Sequence, residues 1–206
     1  NPFQENEITI YSGENLIDLP QGNYSLEFLM NGEFVPWGKD FTLSANLEVT
    51  IYYHPGLVED LGSPFLQWEN MVGQWAITDT TIRTQSGLFY DNIDSTSQTL
   101  SMTTSLFDVS GSNRVVVKID HRYETEWDHD YIIVRILNEQ NDIMASRQWS
   151  GDSWDMANGD LISATTETSF DSLKVQLSFI SDGTVNYRGW ERESIMLFSI
   201  SDEYLS

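Results

Sequence analysis

Cysteine is absent and bases are scarce: 10 Lys and Arg stand against 32 Asp and Glu, a formal net charge of −22 over 206 residues. Without cysteine there can be no disulfide, no thiolate zinc ligand and no thiol nucleophile. With so few cations there is no basic surface to neutralise phosphates, which excludes nucleic acid as a partner. A polybasic membrane anchor is excluded for the same reason. No apolar run approaches the roughly 18 residues of a membrane-spanning helix, so membrane insertion is not expected. The motifs of several enzyme classes are missing too. There is no Gly-x-Ser-x-Gly elbow, no phosphate-cradling glycine loop, no His-Glu-x-x-His pair and no dinucleotide-binding glycine pattern. The chain opens at Asn1-Pro2 without Met and shows no leader peptide, so it reads as a piece of a longer polypeptide.

What is present is enough for a sizeable core. Hydrophobic residues make up 40% and aromatics 13%, including seven Trp. A disordered acidic chain would be poor in both. The acids are spread along the chain rather than gathered in a tail: the first 56 residues hold 8 acids and 1 base, the remaining 150 hold 24 and 9. Such a surface chiefly keeps a protein soluble. Together with the Ser/Thr content and the missing cysteines, it suits a protein working outside the cell or at its surface.

Hydrophobicity alternates with a period of two nearly everywhere, the mark of half-buried strands. Residues 7–11, 24–28, 41–43 and 47–52 show it in the first part. Turn signals at 12–13, 20–23 and 44–46 separate them, and Asn31-Gly32 suits a two-residue hairpin. His54-Pro55-Gly56 ends this set and is the expected linker. Beyond it, 75–77 with 80–83 reads as a hairpin, and 100–103, 115–123, 131–137, 173–179 and 194–200 as strands. No helix of ten residues is expected. Many short strands joined by Gly, Asn, Asp and Ser argue for an all-β protein, a small β-sandwich domain over 1–55 and a larger β-sandwich over 56–206.

Candidate chemistry is sparse. The three histidines offer no converging nucleophile, base and orienter. His121 shares the alternation of Val115, Val117, Ile119 and Tyr123, which predicts a packed, hydrogen-bonded ring rather than a metal ligand. Glu126 and Asp128 sit at a strand–loop–strand corner, where carboxylates suit calcium, a cation that takes oxygen ligands from loops. Glu124 or Glu126 with Asp128 is the candidate carboxylate pair for a hydrolase built on this fold. Glu59 and Asp60 open the second part, and Glu191 and Glu193 close it. If the first and last strands are neighbours, these acids meet, and calcium would relieve their repulsion. Trp149, Trp154 and Tyr187 fall in loop-like segments and are the candidate contacts for a sugar ring.

Four segments of the second part, in order, resemble the jelly-roll module that follows the catalytic domain in secreted metallopeptidases of the immune-inhibitor-A type, a pattern similar to MAM and cleaved-adhesin domains. They are Val58-Glu59-Asp60-Leu61-Gly62 with Trp75, then Leu106 to Gly111, then His121 to Asp128 with Tyr131 to Val134, and finally Phe179 to Gly183 with Arg188-Gly189-Trp190 to Ile195. The resemblance implies a jelly roll with structural calcium held by Glu59 or Asp60 and by Glu193. The sequence departs from the pattern twice: Glu193-Ser194 replaces an Asp pair, and His129-Asp130 replaces a Gly pair. Leu19 to Glu27 resembles the turn and strand of carboxypeptidase-regulatory or transthyretin-like domains.

The resulting expectation is a non-catalytic accessory region of a secreted or cell-surface protein, the C-terminal part of an exported peptidase. Its partners would be other domains of the parent chain and an extracellular glycan or protein. A carbohydrate-binding module or adhesin domain is the alternative, and a jelly-roll hydrolase a further one.

Overall fold

A computed structural model describes residues 19–30, 33–43, 48–54, 58–60, 68–73, 75–77, 81–84, 98–155 and 158–205. Among them are fifteen strands and no helix. The chain divides into two compact units. One holds Asn1–Val49 with Tyr204–Ser206, the other Thr50–Glu203.

In the first unit, β1 (Gly22–Met30) pairs antiparallel with β2 (Glu33–Leu43), and Met30 meets Glu33 across a two-residue connection, as the Asn-Gly signal requires. The Tyr24 hydroxyl donates to the Pro20 carbonyl at 2.5 Å, tying the start of the strand. The expected strand at 7–11 lies outside the described residues.

The second unit is a jelly-roll β-sandwich of two antiparallel sheets. Its strands are β3 (Glu48–His54), β4 (Val58–Asp60), β5 (Trp68–Val72), β6 (Ala76–Ile77), β7 (Ile82–Arg83), β8 (Gln98–Thr104), β9 (Phe107–Asp108), β10 (Arg114–Glu124), β11 (Tyr131–Asn138), β12 (Ile143–Trp149), β13 (Asn158–Thr165), β14 (Ser172–Ser181) and β15 (Gly189–Leu205). One sheet runs β13-β10-β15-β7-β6, with β3 and β4 also on β15; the other runs β12-β11-β14-β8-β5, with β9 on β14. From β10 onward the chain crosses between the sheets at nearly every connection. The boundary between the units falls at Val49/Thr50, inside β3.

Alternation decides the core. Val115, Val117 and Ile119 of β10 and Ile195 and Leu197 of β15 face Ile132, Val134 and Ile136 of β11 and Leu173, Val175, Leu177 and Phe179 of β14, all buried. Each such side chain contributes about 1.5–3 kcal/mol on burial. Five strands, β4, β5, β9, β12 and β13, were not among those expected from the sequence. β12 reads Ile-Met-Ala-Ser-Arg-Gln-Trp, without alternation, because it is an edge strand lying largely in solvent.

Three connections gather at one end of the sandwich, those after β10, β12 and β14. This end is the tip.

Candidate functional site

The first tip connection is a tight turn over Glu126–Asp130. The Glu126 carbonyl accepts the backbone N–H of His129 at 3.3 Å and of Asp130 at 3.0 Å. Asp128 has φ 60°, a left-handed conformation that Asp tolerates better than most residues. Asp130 is fully buried under the turn. Its carboxylate accepts the Glu126 N–H at 3.3 Å and the Asp182 N–H at 3.0 Å, which ties the first connection to the third. The Thr184 hydroxyl donates to Glu126 Oε2 at 2.6 Å and reinforces that tie.

The second connection is tied as firmly. The Thr125 N–H donates to the Gly151 carbonyl at 2.7 Å, and the Gly151 N–H donates to Thr125 Oγ1 at 2.8 Å. Ser150 Oγ donates to the Glu126 carbonyl at 3.0 Å and accepts the Asp128 N–H at 2.8 Å. The Tyr131 hydroxyl donates to Asp128 Oδ1 at 2.8 Å, and this bond raises the phenol above its ordinary range.

On this braced turn stands Trp127, with 76% of its surface exposed. Its benzo edge lies against Gly151: a Cβ added there would sit 2.6 Å from Cε3 and 3.1 Å from Cζ3. Gly151 has φ +100°, a conformation that L side chains rarely adopt. Glycine at 151 therefore serves two needs at once, backbone conformation and room for the indole. The rest of the ring is open, flanked in sequence by Glu126 and Asp128.

The expected sugar contacts lie elsewhere. Trp149 ends strand β12 rather than lying in a loop, and its half-buried ring meets the fully buried His121 edge-on at 4.8 Å. The Arg147 guanidinium lies 5.2 Å from the Trp149 ring. Tyr187 does lie in a loop, half-buried against the core. Trp154 is in a turn after β12, and three guanidiniums surround its ring: Arg122 and Arg188 at 5.2 Å and Arg83 at 5.7 Å. Glu191, with 5% of its side chain exposed, gathers two of them. It forms an ion pair with Arg83 Nε at 2.7 Å and accepts the Arg122 Nε–H at 2.7 Å. Arg188 pairs with Glu124 at 3.3 Å. Trp154 thus has three cations at its half-buried ring.

His121 is the packed histidine that the alternation predicts. Its Nε2 lies 2.9 Å from Asp160 Oδ2, and its Nδ1 accepts the indole N–H of Trp190 at 3.0 Å. Burial pushes the imidazole below its ordinary range, with Asp160 opposing.

The expected calcium ligands do not gather into one described group. β4 does pair with β15, so the opening acids reach the last strand: Asp60 stands opposite Ser194 and Glu59 opposite Ile195. The side chains of Glu59 and Asp60 lie outside the described residues. Glu193 is the extra residue of a bulge in β15, between Ser194 opposite Asp120 and Arg192 opposite His121. Its side chain is 44% exposed, 3.8 Å from Arg122. Glu126 and Asp128 bind Thr184 and Tyr131 at the tip instead. Among the described residues, no three His, Asp or Glu side chains are grouped to hold a metal ion.

Trp127 is an exposed aromatic that was not among the residues expected from the sequence to contact a ligand. It stands between two acids in a turn, at a position whose parity continues the inward row of Val117, Ile119, His121 and Tyr123, so alternation alone would have assigned it to the buried face. No described helix is long and apolar enough to cross a membrane.

No protein-family model matches the chain, and no curated protein matches it. Solved structures with a related shape exist at low similarity. One, titled "BiXyn10A CBM1 APO", is 10% identical with a TM-score of 0.37, covering 71% of this chain and 97% of that one. An arabinose-bound MgGH51 α-L-arabinofuranosidase is 12% identical with a TM-score of 0.31, covering 73% of this chain and 23% of that one. An isomalto-dextranase of Arthrobacter globiformis T6 complexed with panose is 12% identical with a TM-score of 0.33, covering 87% of this chain and 30% of that one. The chain thus spans under a third of the length of those two enzymes, and similarity at this level transfers no function.

Proposed function

We propose that this chain is a non-catalytic accessory module of an exported protein and that it binds glycan at the tip of its sandwich, with Trp127 as the platform. The observation that carries the reading is the 76% exposed indole held against Gly151. A pyranose presents a face of C–H groups, and the negative face of an indole attracts such a face while both shed water. The turn is fixed by hydrogen bonds on both sides, so the ring is ordered before binding and little entropy is lost on association. Hydroxyl and carboxylate groups of Ser150, Thr184, Glu126 and Asp128 stand on the same connections and can pair with sugar hydroxyls.

The test is retention on polysaccharide in affinity electrophoresis, comparing the native chain with Trp127→Ala and Trp154→Ala. Trp127→Ala should abolish retention, since aromatic anchors of this kind cost about 2 kcal/mol or more on truncation, a roughly 30-fold loss. Trp154→Ala should keep it. Retention that survives in Trp127→Ala, or no retention on any neutral or charged polysaccharide, would remove the proposal.

A further inference from the structure

We propose that the Trp127 tip takes cationic amino-sugar glycans in preference to uncharged ones and rejects glycans bearing carboxylate or sulfate. The inference rests on the glycan reading and adds its charge class. Two independent observations carry it: the open indole, which marks the contact, and the charge balance of the three connections around it.

That balance is one-sided. The turn carries Glu126 and Asp128 on either side of Trp127 in sequence, with Asp130 buried under the turn and Asp182 on the third connection. Their described partners at the tip are mostly uncharged: the single Thr184 hydroxyl proton is shared between Glu126 Oε2 and Asp182 Oδ1, and Tyr131 donates to Asp128. Hydroxyls satisfy lone pairs without cancelling charge. The Thr184 hydroxyl and N–H hold Asp182 below the ordinary carboxylate range, so it stays ionised. His129 is the one imidazole here, 3.4 Å from Asp182 and 59% exposed. Arg188, at the end of the third connection, pairs with Glu124 and lies at the Trp154 ring.

A protonated amine on a sugar ring gains twice at such a place. It is attracted to the indole face, the strongest cation–π partner among side chains, and to the carboxylates on the same connections. A uronate or sulfate meets the same carboxylates as repulsion. The whole chain, at net charge −22, adds a long-range field of the same sign.

The experiment is calorimetric titration of the intact chain with three β-1,4-linked hexamers, of glucosamine, glucose and galacturonate, at low salt and mildly acidic pH, where the sugar amine is protonated. The expected order is glucosamine about tenfold tighter than glucose, with galacturonate not bound. Salt at about 0.5 M should shrink the tenfold preference to about threefold or less, since exposed charges are screened. Asp128→Asn, which keeps the left-handed backbone and the hydrogen-bonding shape, should reduce the preference for glucosamine over glucose. Equal affinity for the glucosamine and glucose hexamers, or tighter binding of galacturonate, overturns the inference and leaves the glycan reading standing if Trp127→Ala abolishes that binding. Galacturonate binding that survives Trp127→Ala, or no binding of any hexamer, overturns both.

Discussion

Gly151 is where the fold and the proposed site can be separated by one methyl group. Gly151→Ala places a Cβ 2.6 Å from Trp127 Cε3 at a residue with φ +100°. Gly111 has φ +80° and nothing within 4 Å of an added Cβ, so Gly111→Ala carries the backbone cost alone. That cost is about 1–2 kcal/mol for a side chain held in a left-handed conformation. At Gly151 the clash adds to it, yet the clashing group is an indole already 76% exposed. The ring can swing into water instead of compressing its neighbours, so the stability loss should exceed that of Gly111→Ala by only about 0.5–1 kcal/mol, well below an overpacked core. A domain of ordinary stability, about 5–15 kcal/mol, stays folded under either change. Glycan affinity should then divide the two: unchanged in Gly111→Ala, and about tenfold weaker in Gly151→Ala because the platform has lost its brace. Urea unfolding followed by far-ultraviolet circular dichroism measures the first quantity, and titration with the tightest-binding oligosaccharide the second. Wild-type affinity in Gly151→Ala, within twofold, would refute the idea that Gly151 sets the indole for binding.

Three further outcomes follow from the same structure. His121 is buried with its imidazole depressed, so its folded-state pKa lies below the unfolded value of about 6.5; the unfolded chain therefore takes the proton first as pH falls, and stability present above about pH 6.5 is lost below it. Urea midpoints at pH 7.5 and 5.5 should show a steeper acid loss in the native chain than in His121→Gln, and equal slopes would count against the assignment. Glu191→Gln leaves two guanidiniums without their shared carboxylate; as their side chains are 26% and 36% exposed, the cost should be about 2 kcal/mol by urea unfolding, below the roughly 3–5 of a fully buried pair. For calcium, the expectation attached to Glu59, Asp60 and Glu193 requires a lower melting temperature in chelator; scanning calorimetry with and without it decides the matter, and an unchanged melting temperature removes the structural ion.

How much of this was legible depends on how local each signal is. The strands carrying the core announce themselves, because Val115, Val117 and Ile119, or Leu173, Val175, Leu177 and Phe179, alternate against polar neighbours and only one face is dry. The same rule foretold that His121 is packed. The edge strand β12 was not legible, since a strand lying largely in solvent has no need to alternate. The neighbouring of the opening acids and the last strand was legible as a topological possibility, and β4 pairs with β15 as that reading required. The bulge that leaves Glu193 exposed was not, because a register shift depends on hydrogen bonding between strands 70 residues apart in the chain.

Charge and period, then, are properties of the chain itself: an all-β fold, an excess of acid spread along the chain and no thiol chemistry follow from residue types and their spacing. Which of seven tryptophans faces water does not. Trp149 and Trp154 have surroundings in sequence as polar as those of Trp127. They differ because strand β12 carries Trp149 against His121, because three arginines meet at Trp154, and because Gly151, which has no Cβ, lies where the Trp127 ring rests. Exposure is set by neighbours that are distant in the chain and adjacent in space, so only the tertiary structure could decide it.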